Sequence, residues 1–173
     1  WVVWSRALRF LLPGLTVADF GCGDGAFTVE IARWARRVFA VDSNPAFLKL
    51  AREAARGFSN IEFLEEDMHQ VPLEAECVEL VVISQSLHYA RRPVGVIAEA
   101  HRILAPEGRI LLIELFPHDE EWVTSELGHG WLGFDPVQIE AWMRESGFRK
   151  VESDAHFKRA HDTFQPFITT ARK

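Results

Sequence analysis

The stretch that decides the fold is a glycine-rich turn near the start of the chain. It reads Val17-Ala18-Asp19-Phe20-Gly21-Cys22-Gly23-Asp24-Gly25-Ala26. An apolar strand enters the turn and a helical segment leaves it, and the glycines allow the backbone to approach a ligand closely. The spacing Gly21-x-Gly23-x-x-Ala26 also satisfies the dinucleotide fingerprint in the form that ends in alanine. The turn alone therefore predicts a nucleotide-binding fold and leaves the ligand open.

Acidic residues around the turn narrow the choice of ligand. Asp19 lies two residues before the first glycine, and Asp24 lies inside the turn. A pyrophosphate would meet two carboxylates there at an unfavourable Coulomb energy, whereas a cationic ligand would be favoured. S-adenosylmethionine carries an ammonium and a sulfonium group and no phosphate. The acids therefore favour this methyl donor over a nicotinamide dinucleotide.

Two further acids follow the next two apolar runs. Asp42 ends the second run, where an acid can accept both ribose hydroxyls of a nucleoside. Asp67 follows the third run and can accept an adenine amino group, while Met68 can lie on the ring. Because parallel strands end at one edge of a sheet, we expect Asp19, Asp42 and Asp67 to line a single nucleoside site.

The order of apolar and helical segments predicts the fold class. Runs of strand length alternate with segments of helical period, which is typical of a parallel sheet covered by helices. We predict an α/β, doubly wound, mostly parallel seven-stranded Rossmann-like sheet with helices on both faces, in a single domain over residues 1–173. The predicted strands are 15–20, 37–42, 61–64, 80–84, 109–114, 148–153 and 167–172, and the predicted helices are 1–12, 25–36, 45–56, 93–104 and 136–147.

Composition excludes several classes of function. A formal net charge of −6 disfavours a nucleic-acid partner, which proteins bind through an excess of Lys and Arg. The two cysteines, Cys22 and Cys77, are too few for a disulfide framework and accord with a cytoplasmic location. No apolar run is long enough to span a membrane. The chain begins at Trp1 within an amphipathic segment, and we expect the natural protein to extend further toward its N-terminus.

Several stretches resemble the class I S-adenosylmethionine-dependent methyltransferases. Residues 17–25 resemble the first motif of that family, residues 41–42 its second-strand acid, residues 66–68 its adenine-side motif and residues 102–109 its turn into strand five. The resemblance covers essentially the whole chain. It implies S-adenosylmethionine as cofactor, and the residues expected at the donor site are Asp19, Gly21, Cys22, Gly23, Gly25, Asp42, Ser43, Asp67, Met68 and Ser84.

A narrower resemblance concerns residues 84–88 and 117–134. These are similar to bacterial methyltransferases often fused to ArsR-type winged-helix regulators, which are relatives of the quinone-biosynthesis methyltransferases. The resemblance implies an upstream winged-helix domain or a homodimer as partner. Arsenite methyltransferases are a third relative, but they bind the metalloid through several cysteines, and Cys22 with Cys77 does not supply that set.

Methyl transfer from a sulfonium is an in-line displacement, in which much of the catalysis comes from proximity and orientation. The protein can add a general base, and histidine suits neutral pH. His88, just past strand four, is our first candidate, with Gln85 as a positioning amide and Tyr89 as a wall of the substrate site. A histidine that merely caps a helix is the equally weighted alternative.

The connection 116–134 is unusually long for a compact domain, and such connections are usually functional. We interpret it as a substrate lid in which His118 and His129 are catalytic candidates and Trp122 and Trp131 bind substrate. Simple packing is the alternative and is slightly favoured for the tryptophans. A metal site built from His88, His118 and His129 lacks any metal-ligand spacing, and we predict none.

The leading hypothesis is therefore methyl transfer to a small molecule. The Asn/Asp-Pro-Pro-aromatic motif of adenine and amide methylation is absent after strand four, where Ser84-Gln85-Ser86-Leu87 stands. Two alternatives stay open. One is a non-catalytic module of a transcriptional regulator that senses S-adenosylmethionine or S-adenosylhomocysteine, and the other is a nicotinamide-dependent oxidoreductase.

Overall fold

A computed structural model describes residues 14–154 and 163–173 of the chain. The N-terminal helix predicted over residues 1–12 lies outside these residues. No helix in the described ranges is long and apolar enough to cross a membrane.

The described residues form seven strands and five α-helices. The strands are β1 Thr16–Phe20, β2 Arg37–Val41, β3 Ile61–Leu64, β4 Val78–Ser84, β5 Leu104–Leu115, β6 Arg149–Asp154 and β7 Pro166–Arg172. The helices are α1 Ala26–Ala32, α2 Pro45–Ala54, α3 Pro93–Ile103, α4 Trp122–Leu127 and α5 Pro136–Glu145, and a 3₁₀ turn spans Leu87–Tyr89.

One sheet in the order β3-β2-β1-β4-β5-β7-β6 contains all seven strands. The first five strands of this order, β3, β2, β1, β4 and β5, are parallel to one another. Strand β7 is antiparallel to both β5 and β6. The predicted fold class is thereby confirmed. The chain order reverses between β1 and β4, and in open α/β sheets the crevice at such a reversal binds the ligand at the carboxyl ends of the strands.

Both faces of the central strands are buried, which explains their continuous apolar runs. On one face, Val17 and Val82 pack with Ile31 of α1. On the other face, Ala18 and Ile83 belong to a larger cluster that includes the buried side of α3 and α5. Alternate residues of one strand therefore pack on opposite faces of the sheet.

Helix α1 is shorter than predicted. It ends at Ala32 instead of continuing to residue 36. The side-chain amide of Asn60 donates to the carbonyls of Ala32 and Ala35, at 2.8 and 3.0 Å. It thereby supplies hydrogen bonds to carbonyls that have no partner within the helix. This tertiary contact cannot be deduced from the helical period.

Two other boundaries differ from the prediction. Strand β5 begins at Leu104 directly after α3, because Leu104 pairs with Val78 across a register shift. The strand therefore includes residues 105–108, which lie between the predicted helix 93–104 and the predicted strand 109–114. The lid segment 116–134, predicted as a loop, contains helix α4. A helix of six residues is too short to show a helical period in the sequence.

Candidate active site

The glycine turn follows β1 at the carboxyl edge of the sheet. Gly21, Gly23 and Gly25 all have positive φ, at 72°, 54° and 82°. A Cβ on Gly21 would lie 2.3 Å from Cβ of Ser86, and one on Gly25 would lie 2.8 Å from Cα of Ala51, whereas a Cβ on Gly23 would meet nothing within 4 Å. Two glycines therefore permit close packing, and Gly23 borders open space.

Hydrogen bonds fasten the turn to the strands on either side. The backbone N–H groups of Gly21 and Cys22 donate to the carbonyl of Val41, at 2.8 and 3.0 Å. The hydroxyl of Ser86 donates to the carbonyl of Phe20 at 2.7 Å. The ends of β1, β2 and β4 are thereby joined into one rigid rim.

Asp42 faces this rim, as the sequence predicts. Its Oδ2 accepts the N–H of Gly23 at 2.9 Å, and its Oδ1 accepts the N–H of Asn44 at 2.8 Å. Carboxylate oxygens each accept more than one hydrogen bond, so Asp42 keeps capacity for ribose hydroxyls. Ser43 beside it is exposed.

Asp19 is buried beneath the turn. Its Oδ2 accepts the hydroxyl of Thr28 at 2.6 Å, and only 2% of the residue is exposed. Burial raises the pKa of Asp19 to about 6; the Thr28 hydrogen bond opposes this rise and the charge of Asp42 adds to it. Ionised Asp19 would therefore be stabilised by a cation bound nearby.

Asp24 lies inside the turn, where the sequence places it, and its side chain is exposed. Its carboxylate accepts the N–H of Ala26 at 3.1 Å, at the start of α1. The acid whose charge acts on the buried Asp19 is Asp42.

Cys22 lies in the turn as a buried thiol. Burial raises its pKa well above the ordinary range, and the charges of Asp19 and Asp42 add to the rise. A protonated, buried thiol is a poor nucleophile and a poor soft-metal ligand. The contribution of Cys22 to the site is therefore its backbone.

The third acid, Asp67, follows β3 with an unforeseen partner. Its Oδ1 accepts the backbone N–H of His69 at 2.9 Å and lies 2.6 Å from Nδ1 of the same residue. Burial raises the pKa of Asp67, but these contacts outweigh it and the pKa is lowered. Nε2 of His69 accepts the N–H of Arg92 at 3.2 Å, which ties Asp67 to the start of α3. Met68 packs against the main core.

His88 lies on the 3₁₀ turn after β4 and is paired with an acid that the sequence analysis did not single out. Nδ1 of His88 is 3.0 Å from Oε2 of Glu114, the penultimate residue of β5. Only 4% of His88 and none of Glu114 is exposed.

The lid contributes His129 to the same place. The rings of His88 and His129 have centroids 4.0 Å apart and planes inclined at 31°. The N–H of Gly130 donates to the carbonyl of His88 at 2.9 Å, and the indole N–H of Trp131 donates to the carbonyl of Ala90 at 2.9 Å. Residues 129–131 therefore fasten the lid to the turn that carries His88.

His118 belongs to a separate cluster. Its ring packs edge-on against Phe164 with centroids 4.9 Å apart, and its Nδ1 accepts the N–H of Glu120 at 3.3 Å. Trp122 is 43% exposed, contacts Phe164 and donates its indole N–H to Glu120. Two of the three predicted histidines are therefore brought together, and the third stands apart.

The remaining candidates surround this rim. Ser84 ends β4, and Gln85 is exposed with a φ of 49°. Tyr89 is 49% exposed, and its ring contacts both His88 and His129. Trp131 packs between Phe134 and Trp142, so its described contacts are those of a core side chain.

Two other kinds of site can be compared with this one: a metal cluster and a surface depression. Within residues 14–154 and 163–173, no three His, Cys, Asp or Glu side chains are grouped to hold a metal ion. A depression of about 750 Å³ lies at the opposite, amino edge of the sheet, between Thr16, Arg37 and Cys77. Open parallel sheets bind their ligands at the carboxyl edge, and all the acids described above lie there.

Replacing Asp42 with alanine is expected to weaken the binding of S-adenosylhomocysteine by more than tenfold, about 1.4 kcal/mol. The substitution removes the carboxylate that we expect to accept ribose hydroxyls, and it leaves the N–H of Gly23 without its side-chain acceptor. Isothermal titration calorimetry measures the change. Asp24→Ala is the matched control, because Asp24 is exposed and contacts Ala26, and its effect should stay below about threefold. Equal losses in both variants would contradict the ribose role.

Comparison with known proteins places the chain in a family. The methyltransferase domain family matches residues 18–112. A demethylmenaquinone methyltransferase of Tropheryma whipplei is 29% identical over 124 residues, with 70% of this chain and 51% of the relative covered. An arsenite methyltransferase of Halobacterium salinarum is 28% identical, with 85% and 40% covered. The chain thus spans about half or less of the length of these relatives.

A solved structure shows the same fold over the whole length. The S-adenosylmethionine-dependent methyltransferase of Mesorhizobium loti superposes with a TM-score of 0.79 at 20% identity, covering 97% of this chain and 96% of that one. The glycine turn, the strand-end acids and the adenine-side segment all lie within the residues that the family matches. The chain therefore belongs to the methyltransferase domain family, as predicted from its sequence.

Proposed function

We propose that this domain transfers the methyl group of S-adenosylmethionine to a small molecule whose nucleophile is deprotonated by His88. The observation that carries the proposal is the pair of carboxylates, Asp19 and Asp42, at the glycine turn. Within the described residues, neither forms an ion pair with Lys or Arg. A buried acid without a cationic side chain favours a cationic ligand.

The hydrogen bonds of the glycine turn disfavour a nicotinamide-dependent oxidoreductase. In dinucleotide folds, the amides at the start of the first helix bind pyrophosphate. Here the carboxylate of Asp24 already accepts the amide of Ala26, and Asp42 accepts that of Gly23. A pyrophosphate would have to displace two carboxylates.

The position of each residue at the carboxyl edge of the sheet indicates the part of the donor that it would bind. Asp42 would hold the ribose, Asp67 and Met68 the adenine, and Asp19 the end that carries the ammonium group. The bound donor supplies an electrophilic methyl group on sulfur. The residues after β4 border the adjoining space, where Gln85, Tyr89 and His88 would orient the nucleophile and take its proton.

The substrate walls are aromatic. Tyr89 and Trp122 are about half exposed, and Phe164 is 37% exposed beside Trp122. These surfaces support an acceptor with apolar or ring character, such as the substrate of the demethylmenaquinone relative. We assign His118 and Trp122 to this wall.

An arsenite substrate is disfavoured. Cys22 lies at the carboxyl edge of the sheet and is buried, whereas Cys77 precedes β4 at the amino edge. A strand of seven residues separates the two edges, about 23 Å at 3.3 Å per residue, so the two thiols cannot bind one metalloid atom. Both cysteines are free thiols, in accord with the cytoplasmic location that we expect.

Turnover and binding test the proposal. The full-length protein is incubated with labelled S-adenosylmethionine and a panel of thiols, phenols and amines, and we expect transfer to at least one acceptor above the no-enzyme rate. In calorimetry, S-adenosylhomocysteine should bind and NADH should not. Binding without any turnover would favour the regulator module, and tight binding of NADH alone would overturn the donor assignment. The upstream winged-helix domain and the homodimer stay predictions.

A further inference from the structure

Glu114 is a fully buried acid in the apolar second half of β5, residues 110–115. Its neighbours in β5 are Ile113 and Leu115, and none of its surface is exposed. A buried carboxylate is strongly destabilising unless donors surround it. Here the donors are supplied by the turn after β4 and by β5 itself.

Both oxygens of Glu114 accept hydrogen bonds. Oε1 accepts the backbone N–H groups of Leu87 at 2.8 Å and His88 at 3.3 Å. Oε2 accepts the N–H of Leu115 at 3.2 Å and lies 3.0 Å from Nδ1 of His88. Three backbone N–H groups thus point at the carboxylate, and donors arranged in this way favour its ionised, acceptor form. Facing an acceptor, Nδ1 of His88 carries the hydrogen.

We propose that Glu114 is the positioning residue of the reaction: it holds His88 in the Nδ1–H tautomer, so that the lone pair of Nε2 is available to the methyl acceptor. The inference rests on the proposed function for its chemical meaning. The tautomer itself is a property of the protein without ligand. Glu114 need not touch the substrate.

The proton balance shows what Glu114 contributes. As methyl transfer proceeds, an electron pair of the nucleophile forms the bond to the methyl carbon, and the carbon–sulfur pair stays on sulfur. The proton of the nucleophile moves to Nε2 of His88, and the imidazolium formed keeps its Nδ1–H bond to the negative Glu114. The proton is then released to water. Glu114 thus stabilises the charge that develops on His88.

His129 supports this division of roles. Burial lowers the pKa of His129, and the neighbouring His88 lowers it further against the opposing effect of Glu114. A neutral His129 stacked on His88 restrains the ring plane without competing for the proton. The lid therefore orients the ring while Glu114 sets its tautomer.

A purely structural role is the alternative, because Glu114 also holds the backbone of the 3₁₀ turn. Glu114→Gln separates the two. The side-chain oxygen of glutamine can still accept the N–H of Leu87, while its NH₂ group would face Nδ1 of His88 and favour the Nε2–H tautomer. The N–H groups of the turn keep their acceptor, the N–H of Leu115 loses its own, and the polarity at His88 is reversed.

The test is a long-range ¹H–¹⁵N spectrum of the histidine rings, recorded on the full chain with and without S-adenosylhomocysteine. The signals of His88 are assigned by their loss in His88→Gln. We expect the Nδ1–H tautomer in the wild type and the Nε2–H tautomer, or a mixture, in Glu114→Gln. With an acceptor from the panel, the variant should also lose at least tenfold in kcat with little change in the affinity for S-adenosylhomocysteine.

Glu99→Gln is the matched control. Glu99 is also buried and also accepts a backbone N–H, that of Val71 at 2.8 Å, but it pairs with Arg102 and not with a histidine. Its substitution should leave the His88 spectrum unchanged. An unchanged tautomer in Glu114→Gln, or the Nε2–H tautomer in the wild type, would overturn the proposal. The wild-type spectrum tests the tautomer of His88 even if the variant does not fold. Failure of S-adenosylhomocysteine to bind would contradict only the assignment of S-adenosylmethionine as donor.

Discussion

Gly21→Ala is expected to lower the free energy of unfolding by about 3 kcal/mol. The residue has a φ of 72°, where a side chain costs about 1 kcal/mol. In addition, the new Cβ would lie 2.3 Å from Cβ and 2.7 Å from Oγ of Ser86, and such overpacking costs about 1–3 kcal/mol. Displacement of Ser86 by the new Cβ would also weaken its hydrogen bond to the carbonyl of Phe20, which joins the ends of β1 and β4. Urea denaturation followed by circular dichroism measures the change.

Gly23→Ala is the matched control for this prediction. Its φ of 54° carries a similar strain, but its Cβ would meet nothing within 4 Å. The loss of stability should therefore be about 1 kcal/mol. Binding of S-adenosylhomocysteine should suffer more, because the open space beside Gly23 is where we place the donor. Equal losses of stability in the two variants would contradict the packing role of Gly21.

The sequence predicts the position of the glycine turn and of the acids around it, and there is a physical reason. Glycines at positive φ, and acids at the ends of strands, are local features that a strand–turn–helix pattern reveals. Asp42 could be expected beside the turn for this reason, and its bond to Gly23 shows that β2 ends there. The bond between the Asp24 carboxylate and the amide of Ala26 at the start of the helix could not be deduced from the sequence.

The contacts of His69 and His88 could not be predicted in the same way. His69 and Asp67 are neighbours in the sequence, but the bond to Arg92 depends on how α3 packs. Glu114 lies 26 positions from His88, and only the pairing of β4 with β5 brings them together. One signal was present: a single charged residue within the apolar run Ile110–Leu115 indicates an acid that needs a buried partner.

His88→Gln is expected to reduce methyl transfer to a phenol or amine acceptor by about 100-fold or more, the range typical for loss of a general base. Glutamine keeps a polar side chain beside Glu114 but cannot take a proton at neutral pH. Because His88 lies past the donor rim, the affinity for S-adenosylhomocysteine should change by less than about threefold. Single-turnover rates with labelled donor separate the chemical step from product release.

His101→Gln provides the matched control for that loss. His101 is a partly buried histidine on α3 whose ring packs edge-on against Phe148, away from the carboxyl edge of the sheet. Its substitution should leave the single-turnover rate within about twofold of the wild type. If His88→Gln were as active as His101→Gln, His88 would be a packing residue and catalysis would rest on orientation alone. If instead His88→Gln also lost its donor, the turn after β4 would belong to the donor site, and the separation between the donor rim and the acceptor side would be wrong.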